Sequence, residues 1–414
     1  MMNAHIITIG DELLIGQVIN TNQATIADRL NEIGVDVTEM TTVGDDTEAI
    51  LAAFTRAWES AGAVIVTGGL GPTHDDITKS AVCRFFRTDL IPDANVRKQV
   101  ALILNQRNFP WTDAAEAQAM VPRNATAFPN PVGTAPGLRF DGENRWFFVL
   151  PGVPFEMKEM VDAWIVPFLR QHAGENVIRH RTLRTTGIAE SLLAQQLGDL
   201  DQILQGARLA FLPSTMGLRL RITVHARTAG EADRIVAGVE ERIRAKASTY
   251  IYGTGEEELE EVVGRMLTER NMTLAVAESC TGGFIAHRLT NVSGSSAYFT
   301  YGAVTYSNES KMNILDVPSS VLGAHGAVSR ETAEAMAAGI RKKAGTDIGL
   351  ATTGIAGPTG GSPEKPVGLV WIACADAAGV VSVKFMFGEG RLRVKERASQ
   401  SALDLVRRRL LGIE

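Results

Sequence analysis

The sequence predicts an α/β protein in three parts: a three-layer α/β domain over 1–170, a small α+β module over 171–255 and a second three-layer α/β domain over 256–414. Three observations predict it. At 414 residues the chain exceeds the size at which one hydrophobic core stops growing, so several domains are expected. Both ends alternate short β-branched runs with stretches whose apolar residues recur at helical spacing, the pattern of a parallel sheet covered on both faces. Between them the order becomes strand, helix, strand, strand, helix, which suits a module of ferredoxin-like or related type.

In the first domain "AHIITIG" and "GAVIVTGG" are the clearest strands. "TNQATIADRLNEIG" is a helix whose final glycine suits a C-cap. The strand "RWFFVLPG" then runs into "VPFEMKEMVDAWIVPFL", a helix that closes the domain. The module reads "TLRTTG", "AESLLAQQLGDL", "RLAFLPS", "LRLRITVHA" and "AGEADRIVAGVEERIRAKA". The segment "GTGEEELEEVVGRML" opens the third part by placing carboxylates in the first turn of a helix, where the helix dipole favours them.

Composition narrows the function classes. The chain is 45% hydrophobic and 21% charged, as expected of a folded protein. Its net charge of -6 lacks the basic excess of a protein that grips nucleic acid by its phosphates. Cys83, Cys280 and Cys374 stand far apart with no CxxC spacing, which excludes a disulfide framework and a cysteine zinc site. The N-terminus "MMNAHIITIGDELLIG" has no basic segment before its apolar run, and no apolar stretch approaches the ~20 residues of a membrane span. A cytoplasmic protein with small-molecule ligands is expected, with no nucleic acid and no membrane as partner.

Two loops of the first domain carry candidate chemistry. "GDELLIG" puts Asp11 and Glu12 where the first strand ends. "VTGGLGPTHDDITKSA" leads a strand through Gly68, Gly69 and Gly71, past Thr73, to Asp75 and Asp76. Ligands of open parallel sheets bind at the carboxyl ends of strands, and glycines there let backbone amides approach a phosphate. Paired carboxylates supply hard oxygen ligands for a divalent cation. One such loop alone is weak evidence, because "GGLGP" also reads as a turn and "HDD" as a helix cap. Two on successive strand ends favour a site.

In the third domain "LAVAESCTGGFIAHRL" sets three candidate nucleophiles, Ser279, Cys280 and Thr281, side by side in a strand-to-helix turn. Amides near Thr281, Gly282 and Gly283 can stabilise an oxyanion. A Ser-His-Asp triad is poorly supported: only His287 and His325 lie in this domain, and no GxSxG elbow surrounds Ser279. Lys311, with Tyr306 and Asn308 in "VTYSNESK" just after a second strand, is the better base, since a desolvated lysine accepts a serine proton. Cys280 reads as a packing residue.

The motifs "GDELLIGQVINTNQATIADRL", "VGDD" and "TGGLGPTHDDITKSA" resemble the N-terminal domain of the CinA family, which is similar in turn to molybdopterin-binding domains of the MogA type. "AESCTGG", "GSSAYF", "VTYSNESK", "HGAVS", "TTGIAGPTGGSPEKPVGLVWIA" and "FGEGRLRVKERA" follow in order and resemble the CinA C-terminal domain, a nicotinamide mononucleotide deamidase. For the first domain the resemblance implies hydrolysis of ADP-ribose at its pyrophosphate with a divalent ion, magnesium, manganese, cobalt or nickel. It implies that Asp11, Glu12, Asn22, Asp45, Gly68, Gly69, Gly71, Thr73, Asp75 and Asp76 border that site. Asp75 and Asp76 are the expected metal ligands, with Asp76 also catalytic. "GTAPG", from Gly133 to Gly137, and "LPGVPFEM", from Leu150 to Met157, are expected to close the pocket.

For the third domain the resemblance implies Ser279 as nucleophile and Lys311 as base. Substrate contacts are implied for Thr281, Gly282, Gly283, Ser296, Tyr306, Asn308, Thr353, Gly354 and Arg391, and no cofactor is expected there. The whole is then a bifunctional enzyme of pyridine nucleotide salvage, acting on nicotinamide mononucleotide and ADP-ribose, with a homodimer expected by the same resemblance. The alternative is a deamidase whose first domain binds a nucleotide or pterin without turnover.

Overall fold

The computed structural model describes residues 2–71, 76–172 and 177–413. Two compact units divide the chain: Met1–Arg179 with Val224–Ile235, and His180–Thr223 with Val236–Glu414.

The first unit is built on a six-stranded sheet. Its strands are β1 (Asn3–Ile9), β2 (Asp36–Val43), β3 (Ala63–Thr67), β6 (Thr126–Phe128), β7 (Gly137–Gly142) and β8 (Arg145–Leu150), in the order β2-β1-β3-β8-β7-β6. A separate antiparallel pair, β4 (Leu90–Pro92) and β5 (Met120–Pro122), lies outside it. β1, β2, β3 and β8 run parallel, and β7 and β6 turn back antiparallel. The near-continuous apolar run of β1 and β3 follows from burial on both faces. Ile7, Ile9, Val64 and Val66 pack on one side against Ile50, Phe54, Val82 and Val100. Ala4, Ile6 and Ile65 pack on the other against Ile26, Leu30, Met160 and Ile165. That is the three-layer α/β domain expected from the alternation.

The closing helix is interrupted. It runs α over Pro154–Met160, widens to a π turn over Val161–Ile165, and resumes as α over Val166–His172. Pro167 has no N–H to give the regular ladder, and a widened turn just before it accommodates the missing bond.

A small sheet contains β9 (Val177–Thr185), β10 (Arg208–Ser214), β11 (Gly217–Ala226) and β12 (Ile251–Thr254), in the order β10-β11-β9-β12. β12 corrects the five-element reading of this module. It is a four-residue strand with Gly253 inside it, antiparallel to β9, too short and glycine-weakened to show in the pattern. The expected helix "AESLLAQQLGDL" is two helices, Glu190–Leu197 and Leu200–Leu204, split where Gly198 takes a φ of 72°.

The larger sheet orders β14 (Phe299–Val304), β13 (Leu274–Glu278), β15 (Ile348–Gly354), β16 (Leu369–Asp376) and β17 (Gly379–Met386). β13 is parallel to β14 and β15, while β16 and β17 are antiparallel. One face packs Leu274, Val276 and Leu350 against Leu267, Ile285, Val394 and Leu403. The other presents Ala275, Ala277, Ala351, Ala373 and Ala375 to Met336, Ala337 and Ile340 of the helix Arg330–Ala344. Small side chains let that helix lie close. At Gly349 the approach is closest, because a Cβ there would run into the Ala337 carbonyl oxygen. Gly349→Ala should therefore cost about 1–3 kcal/mol by overpacking, seen calorimetrically as a lower melting temperature for this domain's transition alone.

Candidate functional site

Ser279 follows directly on the last residue of β13, at the carboxyl end of a strand paired in parallel on both sides. Its N–H donates to the Thr352 carbonyl at 3.0 Å, and its own carbonyl accepts from the Gly282 N–H at 3.1 Å. Gly282 and Gly283, with φ of 60° and 89°, turn the chain in a conformation that costs a residue with a side chain about 1 kcal/mol or more. The Thr281 hydroxyl meets that of Thr352 at 2.7 Å, fixing this turn to β15.

Lys311 lies on the short helix Asn308–Leu315, which starts just beyond β14 and is capped by Ser307 and Ser310. Its Nζ donates to Ser279 Oγ at 3.1 Å and to the Thr305 carbonyl at 2.8 Å. The side chain is 1% exposed. Burial pulls its pKa below the ordinary lysine value, Cys280 acting more weakly in the other direction, and among the described residues it forms no ion pair with a carboxylate. A lysine in such a place holds its proton loosely and accepts one from a serine. His287 is exposed and bonds to Asn291. His325 is exposed and pairs with Glu331.

Cys280 packs into the apolar core. It is buried in the cluster with Val276, Ile285 and Val394, where desolvation pushes its thiol up to about 12, so the thiolate needed for attack is not formed near neutral pH.

Glu278 escaped the reading of the sequence. The side chain is 1% exposed, and its two carboxylate oxygens accept from the Ile285 and Ala286 N–H groups at 3.1 and 2.9 Å. It thus caps the helix Phe284–Asn291 from across the turn, a role invisible from spacing because the cap normally sits next to the helix. With those amides occupied, the Cys280, Thr281 and Gly283 N–H groups donate to no backbone acceptor among the described residues; those of Cys280 and Thr281 bond to the Cys280 sulfur, which leaves the Gly283 N–H as the open donor of the turn.

Around this centre Arg391, the first residue of the helix Arg391–Leu411, donates to the Tyr306 hydroxyl at 2.7 Å and to the Gly357 carbonyl at 3.0 Å. Thr353 is buried at the end of β15 and donates to the Ala327 carbonyl at 2.6 Å, with Gly354 closing the strand. Asn308 is exposed on the first turn of the lysine's helix. Ser296 precedes β14 in the turn Ser295–Ala297, at the amino end of a strand that runs parallel to β13 with Val304 beside Glu278. At about 3.3 Å per residue a strand length separates it from Ser279, so one chain does not bring the two together.

In the first unit a cavity of about 480 Å³ opens at the carboxyl ends of β1, β3 and β8, and Glu12, Asn22, Gly68, Gly69, Gly71 and Asp76 line it. A Cβ at Gly68 would strike the Ile9 carbonyl, so only glycine lets β3 turn there. Asn22 donates to the Gly152 carbonyl at 2.8 Å. Asp76 Oδ1 accepts the Gly71 N–H at 2.8 Å and so holds the glycine loop. Thr134, Ala135 and the run Pro151 to Pro154 reach the same cavity, together with Glu156 and Gln118, which sequence reasoning did not single out. Asp11 and Asp45 are absent from the lining. Each accepts the other's backbone N–H, at 3.0 and 3.1 Å, and they tie two loops together. Thr73 and Asp75 lie outside the described residues.

Glu12, Asp76 and Glu156 line this cavity and no lysine or arginine shares the lining, while Lys79 acts on Asp76 from outside it. Hard oxygen donors suit a divalent cation. Among the described residues no three His, Cys, Asp or Glu gather into a cage for one, so an ion here would be held between one or two of these carboxylates and the phosphate oxygens of a ligand.

Fold and sites thus define a multidomain α/β protein with a buried Ser-Lys pair in one domain and a carboxylate-lined cavity in another. Its segments match, in order, the probable molybdopterin binding domain over 5–171, the damage-inducible protein CinA KH domain over 180–253 and the CinA C-terminal domain over 256–410. A CinA-like protein of Salinibacter ruber is 45% identical over 411 residues, covering 99% of this chain and all of that one. A putative competence-damage inducible protein of Clostridium beijerinckii is 41% identical over 410 residues, covering 99% and 100%. The crystal structure of competence/damage inducible protein CihA from Agrobacterium tumefaciens matches at 39% identity with a TM-score of 0.35, spanning 36% of this chain and 94% of that one. The chain belongs to the CinA family. Its middle module is therefore KH-like, yet no two glycines of 180–253 stand three residues apart, so the GxxG loop with which KH modules clamp nucleic acid has no counterpart in it. Among the described residues no helix is long and apolar enough to cross a membrane.

The burial of Cys280 sets a test of the turn. Cys280→Ser should retain most of the amide hydrolysis proposed below, and thiol alkylation of the wild type should be slow, as followed by mass spectrometry alongside ammonia release.

Proposed function

We propose that the C-terminal domain hydrolyses the carboxamide of nicotinamide mononucleotide to the acid and ammonia, and the observation that carries this reading is the contact between buried Lys311 and Ser279. Neutral Lys311 takes the hydroxyl proton as Ser279 Oγ bonds to the carboxamide carbon. The Gly283 amide is the donor of the turn open to the oxyanion that forms. Lys311 then returns the proton to the departing nitrogen, which leaves as ammonia, and Ser279 remains acylated. Water, giving a proton to Lys311, attacks the acyl carbon, and that proton passes to Ser279 Oγ as the acid departs. Tyr306 and Arg391 stand at the edge of this centre as substrate contacts. Coupling one buried amine to two proton transfers requires it to be neutral before attack.

Ser279→Ala and Lys311→Ala should each remove nearly all ammonia release, and the double variant should be scarcely worse than either single one, since residues acting as a unit are not additive. Because burial lowers the Lys311 pKa, protonation silences the base at low pH, and the rate should rise with pH through an apparent value below the ~10.4 of a free lysine. Activity retained in Ser279→Ala would overturn the assignment.

For the N-terminal domain we infer metal-dependent hydrolysis of the pyrophosphate of ADP-ribose. Its support is the cavity at the strand ends, walled by three carboxylates and by glycines that admit a phosphate. A divalent ion held by Asp76 and Glu12 or Glu156 would offset the negative charge of a pyrophosphate and polarise it. Asn22 and the loops around Thr134 and Gly152 shape the cavity. Asp76→Ala should abolish AMP release while sparing ammonia release. ADP-ribose binding without AMP release under any of magnesium, manganese, cobalt or nickel would make the domain a binding module instead.

A further inference from the structure

We propose that Arg288 is a positioning residue of the amidase centre: it ties the helix behind the nucleophile's turn to the helix that carries Arg391, and so fixes where the Gly283 amide stands relative to Ser279. This deepens the amidase reading above and rests on it for the reaction that is served.

Arg288 lies in the second turn of the helix Phe284–Asn291, which Gly283 immediately precedes. It is 3% exposed, on a face that otherwise buries Ile285 and Leu289. An aliphatic side chain would fill such a place without the cost of desolvating a guanidinium. Arg288 instead gives its donors to three side chains of two other helices. Its Nη2 donates to Glu260 at 2.6 Å and to Gln400 Oε1 at 2.8 Å, and its Nη1 to Ser399 Oγ at 3.0 Å. Ser399 and Gln400 are buried on the helix Arg391–Leu411. Glu260 stands in the first turn of the helix Leu259–Glu269.

Those partners are themselves held. The helix Leu259–Glu269 opens with a capping box between Glu258 and Glu261, and Arg184 donates to Glu258. The helix Arg391–Leu411 starts at the residue that donates to Tyr306 and Gly357. A guanidinium is a planar, rigid fork, so acceptors on two helices set the direction as well as the distance of the helix that carries it. At its start that same helix is gripped by Glu278, which accepts the Ile285 and Ala286 N–H groups. Eight residues held by a buried carboxylate at one end and a buried guanidinium one turn further on move as a unit. Gly283 moves with them, and a donor aimed at developing charge loses its effect when displaced by about 1 Å.

Removing Arg288 alone would strand the Glu260 carboxylate and destabilise the fold, so the test removes both charges. Ammonia release from nicotinamide mononucleotide by the full chain is compared between wild type and the paired variant Arg288→Met with Glu260→Met. The kcat is expected to fall about tenfold to a hundredfold with KM changed less than about threefold. The rise of rate with pH should keep its apparent pKa, because Lys311 and its contacts are untouched. A wild-type kcat in the paired variant overturns the proposal, and so does a shifted pH profile, which would place the effect on Lys311. Should the paired variant melt well below wild type, Gln400→Met takes away one acceptor and strands no charge; its kcat is expected to fall about threefold to tenfold, and an unchanged kcat overturns the proposal. If wild type releases no ammonia, the amidase reading fails, and hydrogen exchange decides the positioning separately. The Ile285 and Ala286 amides are expected to exchange at least about tenfold faster in the paired variant while those of β13 keep their rate, and equal rates at Ile285 and Ala286 overturn it.

Discussion

A lysine held almost without water beside a serine is the constraint on which the C-terminal domain turns. Burying an ammonium is costly unless it is paired or gives up its proton, and Lys311 has a serine hydroxyl and a backbone carbonyl rather than a carboxylate. The surrounding structure keeps it there. The helix that carries it starts immediately beyond β14 under a serine cap, and the Thr305 carbonyl that accepts from it belongs to the residue whose N–H donates to the Glu278 carbonyl at 2.8 Å. Lysine, serine and both parallel strands are therefore one connected object, and a shift in any of them changes the proton affinity of the amine.

The turn after β13 resolves a conflict between capping and catalysis. A helix that begins next to a nucleophile points its first amides at the reacting atoms, but those amides also need acceptors in every state of the enzyme. Glu278 satisfies two of them from beneath, inside the core. Among the turn's own amides the Gly283 N–H stays open, while those of Cys280 and Thr281 turn to the Cys280 sulfur. Chemistry is thereby left to the glycine turn, and the helix start becomes a fixed support. Cys280 completes the division, since its side chain is committed to the apolar core.

The N-terminal domain uses the same geometry with different chemistry. Its cavity also lies at the carboxyl ends of parallel strands, and glycine is again required where backbone approaches backbone, at Gly68 against Ile9. Its wall is acidic where the other site is basic. A lining that holds carboxylates and no lysine or arginine favours a ligand that arrives with a metal ion.

The layered α/β architecture at both ends was legible in the sequence because burial on two faces writes itself as apolar β-branched runs, as in "AHIITIG" and "GAVIVTGG". Ser279, Lys311 and the glycine turn were legible for a related reason: a nucleophile between a strand and a helix must lie at the sheet's carboxyl end. Tertiary structure alone decided the rest. Glu278, Glu156 and Gln118 act across long loops, and nothing in local spacing reports which distant amide or cavity a carboxylate will face. Asp11 and Asp45, acidic and beside glycines, read as ligands, and one oxygen of each accepts the other's backbone N–H while neither lines the cavity. Ser296 sits in a motif adjacent in sequence but at the opposite end of a strand, and β12 is too short to leave a period. Sequence determines which faces are apolar and which backbone positions require glycine, because those are properties of neighbouring residues. Which polar group finds which partner is settled only when the sheet brings separate strand ends together.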